Sequence, residues 1–185
     1  MNDIFEKNIR DLKSISIDNH DPKRMQYMTN SKVNAVDFDA VKDNYVDKMN
    51  LLTVPPSVDA LMFLNDGDMM IEFKNGVVDK KLLESIVDKM LNSVIIYSDI
   101  TKTPISEIRK NVDFILVYNY QKNPGANNFS NNFYRDEFVK SLSKKANRRY
   151  TQFGLFRYEN YIFRNIYTYS KRDFKIEFTD RLEET

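Results

Sequence analysis

The 185 residues carry 28 Lys+Arg against 27 Asp+Glu, a formal net charge of +1, with no Cys and one His. Without Cys, disulfides and thiolate metal sites are excluded, and a lone imidazole excludes a multi-histidine zinc site. The absence of Cys suits a reducing cytoplasm, and 42% hydrophobic with 30% charged residues predict a soluble single domain over residues 1–185, with no signal peptide and no apolar run near the ~20 residues that span a bilayer.

In chain order, Phe5, Ile9 and Leu12 have helical spacing, which predicts a helix within Met1–Leu12. Asp18 to Asn34 is polar, contains Asp21-Pro22, and reads as a loop carrying the single His20. Val41, Tyr45 and Met49 predict an amphipathic helix over Val36–Met49, and Asn50–Val54 a short strand stopped by Pro55-Pro56. Val58–Leu64 and Met69–Phe73 then flank Asn65-Asp66-Gly67-Asp68, and a D-G step between two apolar runs is a strong hairpin signal. Symmetrical closure of that turn sets Asp59 opposite Lys74 and Leu61 opposite Glu72. Alternation then places Asp59, Glu72 and Lys74 at one end of one face. Ala60, Met62, Leu64, Met69, Ile71 and Phe73 form the other, wholly apolar face.

Asn75-Gly76 turns the chain, and Asp79 is placed to cap a long helix with an apolar stripe of Leu82, Leu83, Ile86, Met90, Leu91 and Val94, ending near Tyr97 or Ile100. Lys80, Lys81, Lys89 and Ser93 are expected around the rest of that helix, on an exposed face. After a connection at Thr103-Pro104 with about one helical turn, Val112–Tyr118 reads as a buried central strand. Asn119–Asn132 is a Gly/Pro/Asn-rich loop and Phe133–Arg149 a helix. Lys140, Lys144 and Arg148 on it form a stripe, with Lys145 and Arg149 beside them. Tyr161–Tyr169 reads as a strand with aromatics on one face, and Asp173–Leu182 as a last helix. Charge is unevenly spread: residues 1–120 hold 15 basic against 19 acidic side chains, and residues 121–172 hold 11 against 3. An acidic part followed by a basic, aromatic-rich one suits a protein that coordinates a cation and binds a polyanion, DNA or RNA. The basic helix is then a candidate for phosphate-backbone contact.

The element order predicts an α/β domain with a mixed sheet flanked by helices. D-(x)12-E-x-K across a hairpin, followed by a long helix, resembles the core motif of the PD-(D/E)XK nuclease superfamily. The match covers roughly Val36 to Tyr118, and it departs in having Val58 before the Asp, with the prolines earlier at Pro55 and Pro56. The resemblance implies a restriction-endonuclease-like core (residues 35–120) and a basic C-terminal extension (121–185). It implies Mg²⁺ or Mn²⁺ held by Asp59, Glu72 and the Phe73 carbonyl, oxygen ligands that suit hard cations. Lys74 would orient or activate the attacking water, making Asp59, Glu72 and Lys74 the catalytic set. A carboxylate from the first core helix (Asp37, Asp39 or Asp43) would assist, and Lys89 or Ser93 would reach the scissile phosphate. The function implied is metal-dependent hydrolysis of nucleic-acid phosphodiesters. The alternatives are a nuclease-fold inhibitor or immunity protein, such as an anti-CRISPR factor carried on a mobile element, that binds a nucleic-acid-bound protein, or an ordinary hairpin with an Asp–Lys ion pair worth about 0.2–1 kcal/mol. Asp173 and Lys175 repeat the acid-x-lysine spacing, with Glu159 upstream, but without a hairpin between the two acids.

Overall fold

A computed structural model describes residues 2–18, 25–124 and 151–183. It contains α1 (Asp3–Glu6), β1 (Ile9–Asp11), α2 (Leu12–Ile15), β2 (Ile17–Asp18), β3 (Gln26–Tyr27), β4 (Asn34–Asp37) and α3 (Phe38–Met49). The hairpin β5 (Ala60–Leu64) and β6 (Gly67–Lys74) follows, then α4 (Lys80–Thr101), α5 (Ile105–Asn111), β7 (Val112–Tyr118), β8 (Ile166–Ser170) and α6 (Lys171–Phe174). Past α6 the helix continues through a π-helical stretch, Lys175–Thr179, into Asp180–Glu183.

One six-stranded sheet runs in the order β1-β4-β5-β6-β7-β8, and β2 pairs with β3 alone. From β1 to β6 neighbours are antiparallel; β6, β7 and β8 are parallel. The expected mixed sheet flanked by helices is therefore present. Parallel neighbours need a crossover, and α4 and α5 supply the one between β6 and β7. Alternation along the hairpin divides the core. Leu61 and Met70 face a cluster with Phe5, Phe38, Val41, Ile86, Met90 and Ile108, from α1, α3, α4 and α5. Ala60, Met62, Met69, Ile71 and Phe73 face the opposite cluster, with Leu12 of α2 and Phe174 of α6. The apolar face predicted for the hairpin is thus buried as expected, and β7 is buried along its whole length. Among the described residues no helix is long and apolar enough to cross a membrane.

Several elements differ from the sequence expectation, each for a local reason. Asn2 and Asp11 cap two short helices by accepting from the Ile4 and Ser14 amides, so Ile9 sits on β1 between them instead of in one helix. The expected loop at Asp18–Asn34 is interrupted by the β2–β3 pairing. Asp37 caps α3 by accepting from the Ala40 amide, which gives Asn34–Asp37 to a strand and delays the helix to Phe38. Asn50 closes α3 with φ 49°, and no strand forms at Asn50–Val54. At Ile105–Asn111 the connection holds a seven-residue helix. The strand expected at Tyr161–Tyr169 begins only at Ile166, because Asn160 turns the chain at φ 61° and Asp113 draws in the Arg164 and Asn165 side chains. Tyr167 and Tyr169 alone of the expected aromatic face lie on that strand, their rings 5.8 Å apart. His20 and the basic helix predicted at Phe133–Arg149 lie outside the described residues.

Candidate functional site

The hairpin register is shifted by two residues from the one that symmetry about Asp66-Gly67 predicts. Leu64 pairs with Gly67 and Ala60 with Ile71, leaving Asn65-Asp66 as the turn. Gly67 is required there: its φ is +133°, and an added Cβ would lie 2.4 Å from the Asn111 carbonyl oxygen. Asp59 lies just outside this ladder, in a bend before β5 where its amide donates to the Ile71 carbonyl, so the expected Asp59–Lys74 facing pair is corrected. A two-residue shift preserves the side-chain faces, whereas one residue would have inverted them. Glu72 and Lys74 therefore still share a face, and Lys89 joins Asp59 to them.

Glu72 is fully buried on that face, on the side of the sheet covered by α4. Its Oε1 accepts from Lys74 Nζ at 2.5 Å and from Lys89 Nζ at 2.8 Å. Its Oε2 is buried with no hydrogen-bond partner. Asp59 Oδ2 accepts from the Phe73 amide at 2.6 Å, and its Oδ1 faces Lys89 Nζ at 3.2 Å. Lys89 thus joins both carboxylates, while Lys74 serves Glu72. Both lysines and Asp59 keep 17–19% side-chain exposure, so the cluster opens narrowly to solvent. In a strand the amide and carbonyl of one residue point to the same side. Since the Phe73 amide meets Asp59, its carbonyl is directed to that side too.

Burial pushes the Glu72 carboxyl up to about 7, helped by the negative charge of Asp59 and opposed by Lys74 and Lys89. Burial works to lower the Lys89 pKa, but Glu72 and Asp59 outweigh it and hold the ammonium above its ordinary range. A buried carboxyl balanced near neutrality beside a second carboxylate is the environment expected of a functional acid.

Lys89 and Ser93 correct the expectation of an exposed helix face. Ile86, Met90 and Tyr97 are buried on α4, and Lys89 and Ser93 fall in that stripe at helical spacing. Ser93 is fully buried and its Oγ accepts from the Val58 amide at 2.8 Å, which holds the chain next to Asp59. The sequence signal was there: Lys89 is three residues after Ile86 and four before Ser93, inside the apolar stripe. Leu91, expected in the stripe, is 39% exposed.

The α3 acids are otherwise engaged. Asp37 caps the helix, Asp39 accepts from Ser57 Oγ at 2.6 Å and pairs with Lys42, and Asp43 also faces Lys42. Asp39 reaches the cluster only through its field on Lys89. The second acid-x-lysine pair is helical, with Asp173 bonded to Ser170 and Lys175 to Asp180. Lys140, Lys144, Lys145, Arg148 and Arg149 lie outside the described residues.

No family model, curated protein or solved structure matches this chain.

What the site can hold follows from its donors. Among the described residues no three Asp, Glu, His or Cys side chains are grouped to bind a metal ion. Two carboxylates, that of Glu72 with its unpartnered Oε2, and a main-chain carbonyl on their side form an oxygen-only set. Such a set fits Mg²⁺ or Mn²⁺: Mg²⁺ in particular retains several waters and is bound through one or two carboxylates.

Proposed function

We propose that this protein hydrolyses phosphodiester bonds of DNA or RNA with Mg²⁺ or Mn²⁺, on a core of the restriction-endonuclease type. The observation that carries the reading is Glu72, fully buried beside Asp59 with one oxygen lacking any partner. An ordinary cross-strand ion pair does not need a second acid or an orphaned oxygen, and an unsatisfied buried acceptor costs about 1–3 kcal/mol. Asp59, Glu72 and the Phe73 carbonyl would hold the cation, which when bound polarises a phosphoryl oxygen and acidifies a water. Asp59 is oriented by the Phe73 amide, so its other oxygen points into the cluster, where it meets Lys89. Lys74, at the solvent-facing edge, places a positive charge where a phosphate or an attacking water would sit. Lys140, Lys144, Lys145, Arg148 and Arg149, in the basic stretch 121–172, would supply backbone affinity. Purified protein should degrade single- or double-stranded nucleic acid with Mn²⁺ and not with EDTA, and Glu72→Gln should be inactive in both.

A second reading is favoured by one specific observation: Lys74 and Lys89 already match the two acidic charges. In this reading the nuclease-type core is a scaffold that binds a protein partner, as an inhibitor or immunity protein does. Its cellular effect would then survive Glu72→Gln and Lys74→Ala, with the complex still recoverable. Loss of the effect while the complex persists favours catalysis.

A further inference from the structure

Two acids at the end of one hairpin, one of them fully buried, repel each other unless a cation lies between them. The fold brings that cation from an element outside the hairpin. Lys89 projects from the buried stripe of α4 and places Nζ 3.2 Å from Asp59 Oδ1 and 2.8 Å from Glu72 Oε1. Lys74 does not do this: its Nζ pairs with Glu72 Oε1 at 2.5 Å, and among the described residues no ion pair joins it to Asp59. The other two carboxylate oxygens differ in kind: Asp59 Oδ2 is used by the Phe73 amide, and Glu72 Oε2 is used by nothing. A divalent cation ligated by both acids can take Glu72 Oε2 as it stands, but on Asp59 it must draw on Oδ1, which Lys89 now holds.

We propose that Lys89 is the resident counter-cation of the Asp59–Glu72 pair and that a divalent metal binds by displacing its ammonium. This rests on the metal-site reading above and adds a competition to it. In the metal-free protein Lys89 keeps the two acids together at their working spacing. When metal enters, the ammonium leaves on a flexible four-carbon stem and becomes available to an anion at the same opening. The apparent metal affinity is then the intrinsic affinity reduced by the cost of expelling Lys89, so the two cations are negatively coupled.

Lys89→Gln keeps a hydrogen-bond donor and removes the charge. Calorimetric titration with MnCl₂ should show the variant binding tighter than wild type by about tenfold or more, since a competing unit charge a few ångströms away is gone. Its metal-free melting temperature should fall, and Mn²⁺ should raise it by more than in wild type. In nitrogen-15 lysine-labelled wild type, the Lys89 Nζ signal should be protected without metal and be lost to solvent exchange at saturating Mg²⁺. Binding by the variant where wild type binds none would equally support displacement. Equal or weaker Mn²⁺ binding by a folded Lys89→Gln, or a Lys89 signal unmoved at saturating Mg²⁺, overturns the competition and leaves the metal site standing. Absence of binding in both proteins overturns the metal reading and the competition with it.

Discussion

Glu72 ties the chemistry of the site to the stability of the fold. Its ordinary value of 4.5 rises to about 7 in the folded chain, chiefly because the carboxyl is fully buried. Between those two values the native state holds a proton that the unfolded chain has released. The contribution of this group is therefore present below pH 4.5 and lost as pH rises through 7. The shift corresponds to about 3 kcal/mol. Denaturant unfolding of wild type and Glu72→Gln across pH 4.5–8, without metal, should show wild type losing roughly that much relative to the variant. A difference that is flat with pH would mean that the two lysines keep Glu72 ionised throughout.

At the scale of elements, the site depends on how the hairpin and α4 are set against each other. The Asn65-Asp66 turn works only because Gly67 occupies a left-handed φ with the Asn111 carbonyl and the Arg164 guanidinium against its Cα. Gly67→Ala adds both backbone strain and a clash with a main-chain oxygen. It should destabilise by about 2–4 kcal/mol, read as a lowered urea midpoint with unchanged m. On α4, Asp79 accepts from the Leu82 amide at 2.8 Å, and Asp79→Ala should cost about 1 kcal/mol by loss of the cap. Nothing at the cap touches the carboxylates, so this variant should leave Mn²⁺ binding unchanged. Gly67→Ala, in contrast, threatens the hairpin register that positions Glu72 beside Asp59.

At the scale of the whole molecule, Asp113 joins segments distant in sequence. It is 3% exposed and accepts from Arg164 Nε and Nη2, the Asn165 amide and Asn165 Nδ2. The remaining guanidinium nitrogen, Nη1, donates to the Asp66 carbonyl at 2.5 Å in the hairpin turn. One ion pair thus connects the start of β7, the approach to β8 and the tip of the hairpin that ends in the site. Arg164→Ala leaves Asp113 buried without its charge partner and should cost about 3–5 kcal/mol, measured by chemical denaturation. Because the site lies at the other end of the hairpin, metal binding by the folded fraction should persist.

Alternation was enough to determine the hairpin, its buried apolar face and the shared face of Glu72 and Lys74, because side-chain direction repeats every two residues along any strand. The Asp79 cap, the length of α4 and the burial of Val112–Tyr118 were legible for the same reason: each is a local pattern with a local cause. Tertiary structure alone decided the register, since the choice between Asn65-Asp66 and Asp66-Gly67 as the turn depends on what packs against Gly67 from α5 and from Arg164. Capping also overrode longer-range periodicity at Asp11 and Asp37, where one side-chain hydrogen bond moved the boundary between strand and helix. Lys89 is the clearest case at the site itself. Its place in the apolar stripe could be read from the sequence, but a lysine there is tolerable only if acids wait opposite it. That the acids are Asp59 and Glu72, brought from 30 and 17 residues away, follows from the way α4 crosses the sheet.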